Sequence, residues 1–148
     1  MDSFVGGEYM KLVLKNIEVI PAINFLQSMK LKASDSRHRS KLVIKLNEAL
    51  DAFIESEKAI LTEFDALDEN NEVKKDMLND QNVSPNLSKE RKKLYQEAVT
   101  IEGGMFVSNF AEIPRILKEF EGEISGRDAE IYDRLLDECE KNEIEDSE

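Results

Sequence analysis

The sequence predicts a mainly α-helical protein: a bundle of about five helices around one long helix (about 36–67), with a small two- or three-stranded β element. Apolar residues in the long segment recur at alternating steps of three and four, the spacing of a helix face that packs along its whole length. Only three prolines and six glycines occur in 148 residues, which favours helices over strands and turns. Short apolar runs near 11–15 and 99–107 indicate the β element.

One domain is the simplest organisation for a chain of this length. We expect a flexible leader at 1–9, a single helical domain at 10–142 and an acidic tail at 143–148. About 150 residues bury roughly 70% of the surface of the extended chain, which is enough for a core without disulfides.

The chain before the long helix predicts a strand and a helix. Lys11–Lys15 (KLVLK) alternates in polarity, as a strand with one buried face does. Asn16 is a candidate cap for a helix at 17–29, whose buried face includes Ile20 and Ile23. Pro21 fits this helix only if it lies in the first turn.

Ser34 or Ser36 is expected to cap the long helix. Its apolar face has one polar member, Glu57. This carboxylate either meets a cation from another helix, marks the edge of a partner groove, or bends out to water, and the last is favoured. The apolar members are Val43, Leu46, Leu50, Phe53, Ile60, Phe64 and Leu67.

Three further helices are expected after a polar, mobile loop that follows residue 67. The first, at 86–98, returns antiparallel along the long helix. Gly103-Gly104 then predicts a short hairpin between 99–101 and 105–107. A helix at 109–121 follows, with Asn109 as its cap. The last helix, at 126–142, has an apolar stripe that contains Cys139.

Two segments repeat the pattern Asn-x-x-x-Ile-Pro-x-Ile, from Asn16 and from Asn109. Each follows a short apolar run, VLK or FVS. Either two unrelated helices share an asparagine and an early proline, or two strand–helix units pair their strands. We favour the first interpretation.

The net charge of −12 disfavours direct binding to nucleic acid or to anionic membranes. No segment approaches the roughly 20 apolar residues that a membrane-spanning helix needs. The single cysteine and the lack of a signal-peptide pattern predict a cytoplasmic protein without an internal disulfide.

Charge is unevenly distributed. Residues 30–45 hold six basic residues and one acidic residue, whereas the last twelve residues hold seven acids and one lysine. The favoured account pairs the acidic C-terminal helix with this basic segment; the alternative is that the basic segment docks an anion or an acidic partner. The candidate partner-binding residues are Lys30, Lys32, Arg37, Arg39, Lys41, Glu130, Asp133, Asp137 and Glu138.

No catalytic, metal-binding or cofactor-binding residues are predicted. His38 is the only histidine and lies among arginines, where protonation and metal binding are disfavoured. Cys139 is expected in the core. Met105 and Phe106 either form an exposed interaction site or fold back onto the helices.

Three segments resemble a family of uncharacterised tailed-phage proteins from Gram-positive hosts. They are IEVIPAINFLQSMKLKASDSRHRSKLVIKL, the IEGG turn at 101–104, and SGRDAEIYDRLLDECE from Ser125. The resemblance implies a phage origin and a mostly helical fold, and it supplies no catalytic residues.

We therefore expect a non-catalytic protein that binds a host or phage protein. Its acidic helices would mimic nucleic acid and inhibit a host defence or nucleic-acid-handling protein, in the manner of an anti-CRISPR protein. The alternative is a structural or assembly accessory of the phage particle, with self-association through the long helix.

Overall fold

A computed structural model of the chain describes residues 10–76 and 84–146. The predicted leader at 1–9, residues 77–83 of the predicted mobile loop, and the last two residues of the predicted tail lie outside this range.

The described part of the chain is mainly α-helical with one two-stranded antiparallel sheet, as predicted. Five of its six helices have seven or more residues, and a single 3₁₀ turn at Gly104–Phe106 precedes the shortest. In chain order the elements are β1 (Lys11–Lys15), α1 (Asn16–Ser28), α2 (Ala33–Glu63), α3 (Ser84–Gln96), β2 (Ala98–Glu102), α4 (Val107–Phe110), α5 (Ile113–Glu119) and α6 (Gly126–Asp146).

The sheet joins the start of the domain to its middle. β1 pairs antiparallel with β2, from Lys11 opposite Glu102 to Lys15 opposite Ala98. The hairpin predicted at Gly103-Gly104 is therefore wrong, because residues 104–106 turn into a 3₁₀ helix instead of returning as a strand. Gly104 has φ +53°, a conformation that glycine adopts without steric cost.

The repeated asparagine–proline pattern has no common geometry. Asn16 is the first residue of α1 and Pro21 the sixth, whereas Asn109 lies within α4 and Pro114 near the start of α5. The run before Asn109 lies in the 3₁₀ turn and α4, so it does not pair with β1. These are two unrelated local uses of the same residues.

The main core lies between α1, α2, α6 and the inner face of the sheet. The ring of Phe25, on α1, is fully buried and meets the rings of Phe120 and Tyr132 edge-on at 5.9 and 5.7 Å between centroids. Tyr132 donates a hydrogen bond of 2.6 Å to the carbonyl of Leu117, which fixes α6 against α5.

α3 runs antiparallel to α2, as predicted. The contacts advance by four residues along α2 while they go back by four along α3. Phe53 packs on Tyr95, and Glu57 binds Arg91. One turn further on, Leu61 and Leu87 belong to the same small buried cluster.

Glu57 does not bend out to water, so the favoured expectation for it is wrong. Its carboxylate accepts hydrogen bonds from Arg91 at 3.1 Å and from the Tyr95 hydroxyl at 2.5 Å. The polar member of the α2 face is therefore matched by a cation and a hydroxyl that face it from α3.

The long helix is displaced from its predicted bounds. α2 begins at Ala33, so Ser34 and Ser36 lie inside it, and Lys32 occupies the cap position. It ends at Glu63, because Asp65 turns with φ +52° and the chain then forms a bridge between Leu67 and Val73.

The helix predicted at 109–121 is two helices, α4 and α5, separated by a turn at residues 111–112. Glu112, not Asn109, is the cap residue of α5. α6 continues to Asp146, so the backbone of residues 143–146, predicted as tail, is helical. Within the described ranges, none of these helices is long and apolar enough to cross a membrane.

The packing of α2 leads to a test with two substitutions on one helix. Leu46 is fully buried and Ile54 is 49% exposed. Leu46→Ala is expected to lower the free energy of unfolding by about 3 kcal/mol, and Ile54→Ala by about 1 kcal/mol or less. Urea denaturation of both variants measures the difference, and equal losses would contradict the position of α2 in the core.

Candidate partner-binding surface

The outward side of α6 carries a row of acidic side chains. Glu130, Asp133 and Asp137 are spaced three and four residues apart, so they lie on one side of the helix, and all three are exposed. Ile131 and Leu135 point into the core on the other side. Three of the four acidic residues predicted as partner contacts are therefore free to meet a partner.

An arginine fixes the position of α6 against β1 and α1. The guanidinium of Arg134 donates hydrogen bonds to Glu18 at 2.8 Å and to the carbonyl of Val13 at 3.0 Å. It also reaches Glu138, one turn along α6, at 3.3 Å. Because bidentate, charge-assisted bonds of this kind are directional, they orient α6 as well as hold it.

Glu138 belongs to this network and is not available to a partner, which corrects its prediction as a contact residue. It is 4% exposed, and its carboxylate accepts bonds of 2.9 Å from the Val13 N–H and from Lys141. Burial alone would raise the pKa of Glu138. The bonds from Lys141, Val13 and Arg134 outweigh that effect and bring the pKa below its ordinary value of 4.5.

An apolar surface on α1 adjoins Glu130, the first member of the acidic row. Ile17 and Ile20 are 50% and 48% exposed, although α1 buries six other residues. A shallow cavity of about 350 Å³ lies between α1 and α6. It is lined from α1 by Ile17, Glu18 and Pro21, and from α6 by Arg127, Glu130, Ile131 and Arg134. We call this combination the α1–α6 surface: Ile17, Ile20 and Pro21 with Glu130, Asp133 and Asp137.

Sequence reasoning missed the apolar half of this surface. It placed Ile20 on the buried face of α1, and there the prediction is wrong. The signal was an excess of apolar residues, because Ile17, Val19, Ile20 and Ile23 surround the helix instead of forming one stripe. The core covers Val19 and Ile23 and leaves the other two in contact with solvent.

The basic segment serves several separate purposes. Arg39 donates hydrogen bonds to the carbonyls of Leu26 at 2.6 Å and Met29 at 3.1 Å. It therefore provides hydrogen-bond donors for carbonyls at the end of α1 and is not available to a partner. Lys41 lies over the ring of Phe106. The remaining three predicted contacts are exposed: Lys30, Lys32 and Arg37.

The favoured pairing of the basic segment with the acidic C-terminal helix is not formed by the described side chains of that helix, which end at Asn142. Among the residues the structure describes, no ion pair joins the two. The first turns of α2 pack instead against α1 and α4, and Asp35 binds Arg115 of α5 at 2.8 Å. Glu138 of α6 pairs with Arg134 of the same helix, and not with a basic residue of α2.

Lys30 and Lys32 line a groove of about 900 Å³ between the α1–α2 and α5–α6 connections. Its other side carries Glu121, Glu123 and Asp128. The two signs of charge face each other across an open groove, so it offers no preference for a ligand of one charge.

Both residues considered for catalysis, Cys139 and His38, have structural roles. Cys139 is buried in the main core. His38 is half-buried, and a hydrogen bond of 2.9 Å joins its Nδ1 to Oδ1 of Asn109, which holds α4 against α2.

No protein-family model, curated protein or solved structure matches the chain. The resemblance to tailed-phage proteins therefore stays a prediction.

The buried carboxylate network predicts a dependence of stability on pH. Because the pKa of Glu138 is lower in the folded protein than in the unfolded chain, its ionised form stabilises the fold above about pH 4.5. That contribution is lost as the pH falls below 4.5 and through the folded pKa.

Glu138→Gln removes this titration. Urea unfolding from pH 7 to pH 3 is expected to show the wild type more stable than the variant at neutral pH, with the difference shrinking in acid. Asp137→Asn, an exposed neighbour, is the control and should follow the wild type. A constant difference across the pH range would contradict the lowered pKa.

Proposed function

We propose that this protein is a non-catalytic binding protein, and that its α1–α6 surface docks a basic surface of another protein. The observation that carries the proposal is the row of exposed carboxylates Glu130, Asp133 and Asp137, whose first member lines one cavity with the half-exposed Ile17. Protein interfaces commonly combine an apolar centre with a polar rim, and complementary charges raise the rate of association.

The ion pairs of α6 support the proposal. Arg134 binds Glu18 and Glu138 but leaves Glu130, Asp133 and Asp137 exposed. The rigid attachment of α6 keeps these three in a fixed row, so a partner would not bear the entropic cost of ordering them.

The finer proposal is that the protein is of phage type and acts in the cytoplasm of a bacterial host. There it would inhibit a defence or nucleic-acid-handling protein by occupying a nucleic-acid groove. The acidic row spans about 10 Å along α6, and nucleic acid carries one phosphate per about 3.4 Å of each strand. The carboxylates of the row are therefore about 5 Å apart along α6, a lower density than that of one strand, and the net charge of −12 extends the negative field beyond the row.

The experiment is an affinity capture from a Gram-positive host lysate with three baits, at low and at high salt. They are the wild type, a variant with Glu130→Lys, Asp133→Lys and Asp137→Lys, and a control with Asp51→Lys, Glu55→Lys and Glu63→Lys on α2. All six positions are exposed, and each variant replaces three carboxylates by three lysines, so both variants change the net charge equally.

We expect the wild type and the control to retain a basic nucleic-acid-binding protein in low salt. The α6 variant should retain about tenfold less, because like charges now face each other across the interface. Equal retention by all three baits would contradict the α1–α6 surface as the binding site.

One observation favours a second candidate function, an assembly accessory of a phage particle. Ile44 and Ile54 on the long helix are 42% and 49% exposed. This function predicts self-association through α2, which light scattering of the purified protein measures. A dimer that dissociates in Ile54→Ser, together with capture of a virion protein from infected cells only, would support assembly over inhibition.

A further inference from the structure

The fold brings together two sequence features that lie far apart in the chain. One is the 3₁₀ turn Gly104–Phe106, and the other is the basic N-terminal half of α2. α4, which follows the turn, packs on α2, and the hydrogen bond between His38 and Asn109 fixes it there. The turn therefore lies directly beside the lysines of α2.

Phe106 folds back and Met105 does not. The ring of Phe106 packs against the main core, and Lys41 and Lys45 lie over it at 5.2 and 5.7 Å from its centroid. Met105 is 86% exposed. The turn thus uses one apolar side chain to attach itself to α2 and presents the other to solvent.

The residues of α2 beside the turn that carries Met105 are positively charged, in a protein whose net charge is −12. Arg37, Lys41 and Lys45 follow one another at steps of four residues, so they share one side of α2. Glu48 binds Lys45 at 3.4 Å. Within the described ranges, no carboxylate forms an ion pair with Arg37 or Lys41.

An exposed apolar side chain on α2 adjoins Lys41. Ile44, 42% exposed, follows Lys41 by three residues and precedes Lys45 by one. Methionine is flexible and polarisable, so it adapts to different apolar partners at binding surfaces. We call this combination the Met105 surface: Arg37, Lys41, Ile44, Lys45 and Met105.

We propose that the Met105 surface binds an acidic segment of a partner protein that carries a bulky apolar side chain. The apolar side chain covers Met105, and the flanking carboxylates meet Arg37 and Lys41. The charge of this surface is opposite to that of the α1–α6 surface, so the two select different partners or different parts of one partner.

An acidic peptide fits this surface better than a nucleic acid does. Single-stranded nucleic acids bind by stacking bases on exposed aromatic rings, and the ring of Phe106 is already covered by two lysines. A long polyanion is also repelled by the acidic remainder of the chain, whereas a peptide with a few carboxylates meets the local positive charge within a Debye length.

The test follows the ¹³C-labelled methyl group of Met105 by NMR in the full chain, assigned with Met105→Leu. The probe is a twelve-residue peptide with four glutamates around a central pair of leucines. Three comparison ligands are the same peptide with serines for the leucines, the same peptide with lysines for the glutamates, and a twelve-nucleotide oligo-dT.

We expect a saturable shift of the Met105 signal with the glutamate–leucine peptide. The affinity should be about tenfold weaker for the serine peptide, because the apolar contact with Met105 is lost. The lysine peptide and oligo-dT should cause no shift.

Substitutions in the protein, in place of changes to the peptide, test the same contacts. Met105→Ser and Lys41→Gln are expected to weaken binding of the probe severalfold, followed by the other labelled methyl groups or by peptide fluorescence. Lys58→Gln, an exposed lysine in the other half of α2, is the matched control and should bind as the wild type does.

Any of three results would overturn the proposal: no saturable shift with the glutamate–leucine peptide, a stronger response to oligo-dT, or equal binding by Met105→Ser and the wild type. None of these results bears on the α1–α6 surface, whose charges and contacts are separate.

Discussion

The orientation of α6 depends on one buried network of charge-assisted hydrogen bonds. Arg134 joins Glu18 of α1, the backbone of β1 and Glu138 of its own helix, while Glu138 accepts the N–H of Val13. Because removing one member would leave a buried partner unpaired, the network tolerates few arrangements of strand and helices. Because the network holds α6 against α1, Glu130 of α6 lines one cavity with Ile17 and Pro21 of α1.

The charged residues of this protein fall into two groups: those that form ion pairs between elements and those that are exposed to solvent. Inward-facing ions pair across elements, as in Glu57 with Arg91 and Asp35 with Arg115, and they hold the helices in register. Among the exposed ions, carboxylates outnumber cations on α6, and cations predominate near the start of α2. Each charged surface adjoins exposed apolar side chains. A surface with both features gives a partner contact area as well as electrostatic attraction.

Sequence reasoning predicted the elements well where periodicity is local. The long helix, the strand at Lys11–Lys15 and the final helix follow from the spacing of apolar residues, and the antiparallel return of α3 follows from the length of the long helix. The hairpin failed because pairing of β2 with β1 is a contact across almost ninety residues, which no local turn signal reports. Glu57 was misjudged for the same reason, since its partners Arg91 and Tyr95 lie on another helix.

The amino-acid sequence by itself determined the mainly helical class, the net charge and the segregation of basic from acidic residues, because these depend on composition and on spacing within one element. Only the tertiary structure decided which charges remain outside. It buried Glu138, bonded Arg39 to the end of α1, exposed Ile20 and placed the ring of Phe106, the neighbour of Met105, under Lys41. Burial and pairing are properties of contacts between distant segments, so they arise only when the elements pack together.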